Sequence, residues 1–151
     1  MNRISILAVA VAAAIAPASD GQTVTEKANP VNIQIKVGSK TFTATLENNA
    51  TAQAFKAKLP LTVEMVELNG NEKYYRFPSD LPTNASNPGA IKVGDLMIYG
   101  QNTLVLFYEG FQTSYSYTRL GRISDPAGLA AAVGTGTVKV TYELQPKAKG
   151  N

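Results

Sequence analysis

Short runs of alternating apolar and polar residues, each closed by turn residues, constrain this chain more than any other feature. Val31, Ile33, Ile35 and Val37 alternate with Asn32, Gln34 and Lys36, the period-2 pattern of a strand with one face buried. Gly38-Ser39 follows as a tight turn, and Phe42, Ala44 and Leu46 carry the alternation onto a second strand, so the pair reads as a hairpin. Leu61, Val63 and Met65 begin a third strand that runs to Leu68, where Asn69-Gly70 ends it. Asn-Gly is the strongest hairpin signal in the chain, because both residues tolerate the positive φ of a type I′ turn. Tyr74, Tyr75 and Phe77 lie on the returning strand. Asp95 to Tyr99 and Leu104 to Tyr108 predict another hairpin around Gly100-Gln101-Asn102. The run Leu104-Val105-Leu106-Phe107-Tyr108 is apolar throughout, so this strand is expected to be covered on both faces. Strands at Tyr117 to Ile123 and Val138 to Leu144 bring the tally to eight.

Two short helices interrupt the series. Asn48 or Asn49 is placed to cap one over Ala50 to Lys58, since an Asn side chain accepts a bond from an unpaired first-turn amide; Pro60 stops it. Ser124 or Asp125 is expected to cap the other, with Pro126 at its first position and Leu129 to Val133 in its body. Eight short strands within residues 31–144 favour a closed barrel or a sandwich, and closure leaves no edge strand to aggregate. Two loops stand out. Pro78 to Ala90, with three prolines, is long enough to form a functional surface. Gly110 to Ser116 sets Phe111 and Tyr115 among Ser and Thr, a composition suited to contacting peptides or sugars; the alternative is that its rings fold back over the barrel end.

The ends of the chain read differently. Arg3 is followed by thirteen residues, Ile4 to Ala16, that are apolar apart from Ser5, and Ala16-Pro17-Ala18 gives a small-x-small site. These are the parts of an export signal, predicted over residues 1–18. The run is too short for a transmembrane anchor, which needs about 20 apolar residues, and no cysteine follows it to carry a lipid. A polar leader (19–30) and a basic tail (145–151) flank the domain. The expectation is an exported protein, periplasmic or secreted, with no membrane contact after cleavage.

Histidine and cysteine are both absent. That removes disulfides, thiol nucleophiles, Cys/His zinc sites and the Ser-His-Asp triad, and no cofactor or metal is expected. The net charge is +3, but the basic residues are scattered rather than clustered as a nucleic-acid groove requires. Gly134-Thr135-Gly136 lacks the preceding strand and following helix of a phosphate loop and reads as a turn.

Several blocks resemble the small bacterial cyclophilin-like domain family. They are Thr51-Ala52, Leu59-Pro60-Leu61, Asn69-Gly70-Asn71-Glu72-Lys73-Tyr74-Tyr75, Gly94-Asp95-Leu96, Leu104 to Tyr108 and Leu120-Gly121-Arg122-Ile123. The resemblance implies a mainly β fold: a closed eight-stranded antiparallel barrel of cyclophilin type, capped by two short helices. It also implies a groove on the barrel that holds a peptide or small ligand. Prolyl isomerisation forms and breaks no bond, so it needs only a seat for the ring and a donor to the prolyl nitrogen as the amide twists. In cyclophilins that donor is an arginine in a Phe-His-Arg-aliphatic run. Tyr75-Arg76-Phe77 matches it best, which makes Arg76 the candidate donor; the alternative for Arg76 is a solvated strand side chain. The tryptophan and histidine of the cyclophilin groove have no counterparts here. Tyr75, Phe77, Phe107, Phe111, Tyr115 and Arg119 are the candidate ligand contacts. Three functions remain open: a binding module without turnover, a weak or specialised prolyl isomerase, and an accessory domain whose groove is vestigial.

Overall fold

The computed structural model describes residues 30–147. The predicted export signal, the leader up to residue 29 and the last four residues of the tail lie outside the described residues. Eight strands close into an antiparallel barrel: β1 (Asn32–Val37), β2 (Lys40–Leu46), β3 (Leu61–Leu68), β4 (Glu72–Arg76), β6 (Asp95–Tyr99), β7 (Thr103–Phe107), β9 (Thr118–Ile123) and β10 (Val138–Leu144). Around the barrel they run β1-β10-β3-β4-β7-β6-β9-β2, and β2 returns to β1. Two further strands, β5 (Ala90–Ile91) and β8 (Phe111–Gln112), pair with each other outside it. The two helices are α1 (Ala50–Lys56) and α2 (Leu129–Val133).

The alternation seen in the sequence is the barrel's inside and outside. Ile33, Ile35 and Val37 of β1, Phe42, Ala44 and Leu46 of β2, and Val63 and Met65 of β3 all join one core. Burial of each such aliphatic or aromatic side chain contributes about 1.5–3 kcal/mol. At the turn between β3 and β4, Asn69 and Gly70 both take positive φ, 58° and 70°, as a type I′ turn requires. Gly121 is needed where β9 meets β2: a Cβ there would lie 2.6 Å from the Thr45 carbonyl oxygen.

α1 closes one mouth. The Asn49 Oδ1 accepts from the Ala52 amide at 2.7 Å, and Phe55 packs edge-on against Tyr142 and Phe77. The Asn49 Nδ2 also donates to the Arg119 carbonyl, so this side chain is committed to the cap. Near the other mouth, α2 corrects one expectation. It starts after Gly128, which sits at φ 83° and offers no side-chain cap. Asp125 instead accepts from the Ala127 amide two residues on, and Pro126 stands before the helix in the turn that delivers it.

β7 is covered on both faces. Leu104 and Leu106 point into the barrel, while Val105 and Phe107 point outward and are nonetheless buried. The two loops account for this. They cross the outer wall, pair as β5 and β8 through Ile91 and Phe111, and set Ile91, Phe111 and Tyr117 over Met97, Val105 and Phe107. Phe111 of the second loop therefore folds onto the wall rather than over a barrel end, while Tyr115 stays exposed beside it.

Candidate functional site

Beside this layer the outer wall is open, as a groove of about 300 Å³. Alternate residues of β4 put Glu72, Tyr74 and Arg76 on its face; Thr103 and Val105 of β7 and Tyr99 of β6 continue it. Tyr115 and Tyr117 from the loop before β9, with Leu68 and Asn69 from the β3–β4 hairpin, complete the lining. The rings brace one another: Tyr99 stands 6.1 Å from Tyr115 and 5.6 Å from Tyr117, centroid to centroid. Such edge-on and tilted pairs hold aromatic walls in place.

The charges are arranged unevenly. Glu72 lies at the inner end, only 8% exposed, and among the described residues no hydrogen bond reaches its carboxyl and no basic nitrogen lies within 4 Å of it. Burial, with the negative charge of Glu67 adding to it, pushes Glu72 up to about 7, because a carboxylate taken from water without a partner favours its neutral form. Arg76 stands four residues along the strand, about 13 Å away at ~3.3 Å per residue, and is exposed. Tyr117 is also raised above an ordinary tyrosine, by burial first and by Glu72 next.

The candidates from the sequence fall into three places. Arg76 and Tyr115 line the groove. Phe107 shares their outer face but is fully covered by Phe111 and Tyr117, at 5.7 and 5.5 Å, so Phe107 and Phe111 form the layer beside the groove rather than its surface. Tyr75 and Phe77 turn inward and pack on the core, 5.3 Å apart. Arg119 belongs to separate polar hollows with Glu47, Asn49 and Thr118. Sequence reasoning missed Glu72, Tyr74 and Tyr99. The period-2 rule that places Arg76 also places Glu72 and Tyr74 on its face, and that was the available signal.

Inside the barrel the same hairpin carries a second polar group. Lys73, fully buried, donates from Nζ to Glu67 Oε1 (2.9 Å) and to the carbonyls of Gly134 (2.9 Å) and Gly136 (2.6 Å). Tyr108 donates its hydroxyl to the same Glu67 oxygen, and the Gly70 amide donates to the other. Burial alone would raise Glu67, but the bonds from Lys73, Tyr108 and Gly70 outweigh it and hold the carboxyl below its usual range. Gly134-Thr135-Gly136 thus turns oxygens, not amides, toward its partner, the reverse of a phosphate cradle. Asp95, also buried, accepts from Arg122 Nε (3.0 Å) and the Lys92 amide (2.8 Å), which makes it a strand tie. Among the described residues there is no cluster of acidic, His or Cys side chains able to hold a metal, and no helix long and apolar enough to cross a membrane.

A closed eight-stranded barrel with two short helices and a groove on its outer wall defines a cyclophilin-type domain. The model of the Cyclophilin-like family matches residues 35–143, and the chain belongs to that family. Among solved structures it is similar to a hypothetical protein from Archaeoglobus fulgidus, determined in solution. The TM-score is 0.55 at 14% identity, covering 80% of this chain and 98% of that one, a likeness of fold. No curated protein matches the chain.

Proposed function

We propose that the domain is a binding module whose outer groove takes a peptide or a small ligand without chemical turnover. One observation carries this reading: an unpaired carboxyl that opens into the groove and an exposed guanidinium stand at opposite ends of one aromatic-walled groove. Such a groove orients a ligand through a few polar groups set in apolar walls. Arg76 supplies donors to a carbonyl or carboxylate at the open end, and the tyrosines supply rigid contact area at low entropic cost.

Prolyl isomerisation is the second reading, and the placement of Arg76 on the groove face favours it. Against it stands the lack of an apolar seat near Arg76: Val105 is 1% exposed, and Leu68, the exposed aliphatic of the lining, pairs with Glu72 at the opposite end. The two readings part in one experiment. The full chain is titrated with a succinyl-Ala-Ala-Pro-Phe amide while cis–trans exchange is followed by NMR. Shifts at Tyr74, Tyr99 and Tyr115 without faster exchange support the binding module. Acceleration that disappears in Arg76→Ala, with the fold intact, supports the isomerase. A groove silent to peptides and small amines alike favours an accessory domain with a vestigial groove. Export to the periplasm or the medium remains part of the proposal and rests on residues 1–18 alone; amino-terminal sequencing of the mature protein tests it, with cleavage expected after Ala18.

A further inference from the structure

Resting on that binding reading, we infer that the Glu72 end of the groove takes an alkylammonium group, from a free amine or from the lysine side chain of a peptide. Four of the seven tyrosines in the chain line the groove; Tyr74, two residues along the strand, and Tyr117, packed on the Phe107 that pairs with Glu72, flank this carboxyl, while Tyr99 and Tyr115 stand toward the Arg76 end. Aromatic faces attract cations through the ring quadrupole, most strongly where water is thinned. A carboxyl aimed into such a box supplies the charge complement. The carboxyl has no internal partner and its oxygens open into the groove rather than into the core, so a cation entering at this end meets it directly.

The other ligand classes fit worse. An anion would face Glu72 directly, and an apolar head would finish desolvating the carboxyl without satisfying it. At about 300 Å³ the space is at the small end of ligand pockets, which suits one amine head and its methylene stem. The protein also holds its own ammonium in this manner: Lys73 Nζ rests on the Glu67 carboxylate with the Tyr108 ring 5.3 Å away. In the groove a carboxyl and rings are present, and the ammonium is the missing member.

The inference carries a pH signature. The groups near Glu72 are Glu67 across the hairpin, Tyr108 and Tyr117 from the far side, and Tyr74 on its own strand face, with Arg76, Tyr99 and Tyr115 at the other end of the groove. Tyr108, up to about 12, and Tyr117, also raised, stay neutral near pH 7. Glu72, which titrates near 7, is the groove acid whose charge changes there. Amine binding needs its ionised form, so affinity falls as pH drops.

The test titrates the full chain with n-butylammonium and with blocked Gly-Lys-Gly, Gly-norleucine-Gly and Gly-Glu-Gly peptides. Binding is read by calorimetry and by tyrosine fluorescence, which no tryptophan obscures. The lysine peptide should bind at least about tenfold more tightly than its norleucine counterpart. That preference should weaken about tenfold from about pH 8 to about pH 6 and be lost in Glu72→Gln. Tighter binding of the peptide than of butylammonium assigns the ammonium to a lysine side chain, and equal binding assigns it to the amine head alone; both support the inference. Tyr74→Leu, at the half-buried ring beside Glu72, gives an independent reading should Glu72→Gln disturb the fold, with a loss of about fivefold or more expected. Equal binding of norleucine, or preference for glutamate, overturns the cation and leaves the groove a ligand site. No response to any probe overturns the groove reading as well.

Discussion

The two faces of the β3–β4 hairpin treat their acids in opposite ways. On the inner side Glu67 accepts from Lys73, Tyr108 and the Gly70 amide, and Lys73 spends its other donors on two carbonyls of the α2–β10 turn. On the outer side Glu72 meets no donor, and its oxygens open onto the groove. The first arrangement closes a barrel mouth and is complete within the chain. The second is incomplete, and its shortfall opens onto a groove. Five residues of sequence separate architecture from a candidate site, and polar satisfaction distinguishes them better than burial does.

The largest effect that would test this contrast is expected at Lys73. Lys73→Met should cost about 1–3 kcal/mol in urea unfolding, because it takes the ammonium from Glu67 and the donor from the Gly134 and Gly136 carbonyls; a neutral result would erase the distinction between the faces. Tyr108→Phe removes one bond to the Glu67 carboxylate and should cost about 1 kcal/mol by the same measurement.

The two acids should then give opposite pH dependences of the melting temperature. Glu67 titrates below its unfolded value, so its contribution is present above about pH 4.5 and is lost as pH falls through the folded value. Glu72 titrates above its unfolded value, so its contribution is full below about pH 4.5 and is lost as pH rises through about 7. Glu72→Gln should remove the second trend and leave the first. The smallest effect is the most discriminating. Below about pH 5, where Glu72 is protonated, Glu72→Gln should shift stability by less than about 0.5 kcal/mol, while at about pH 8 it should stabilise.

Most of the barrel was legible because its strands alternate: β1, β2 and β3 point every second side chain inward, Asn69-Gly70 carries the turn, and of the two cap candidates Asn48 and Asn49 it is Asn49 that caps α1. What escaped has physical reasons. Two-residue strands such as β5 and β8 are too short to show a period, so the clasp between the loops was invisible, and with it the cover over Phe107. Asp125 prefers a local turn to a helix cap. Lys73 breaks the inward-apolar rule, and Glu67 across the hairpin together with two carbonyls about sixty residues on explains why a charge can sit there. Arg76 and Glu72 were equally readable as neighbours on one strand face. That Glu72 is hidden depends on the loops that cross the wall.

The order of strands has a bearing on how such a domain is mounted. β1 and β10 lie side by side, Ile33 opposite Leu144, and the Gln145 amide returns to the Asn32 carbonyl at 3.1 Å. In the ring of eight, β1 is diametrically across from β7, the middle of the grooved wall. Chain continuing from either end of the described residues therefore leaves from one point on the side away from the groove, as a lamp is fixed at its base.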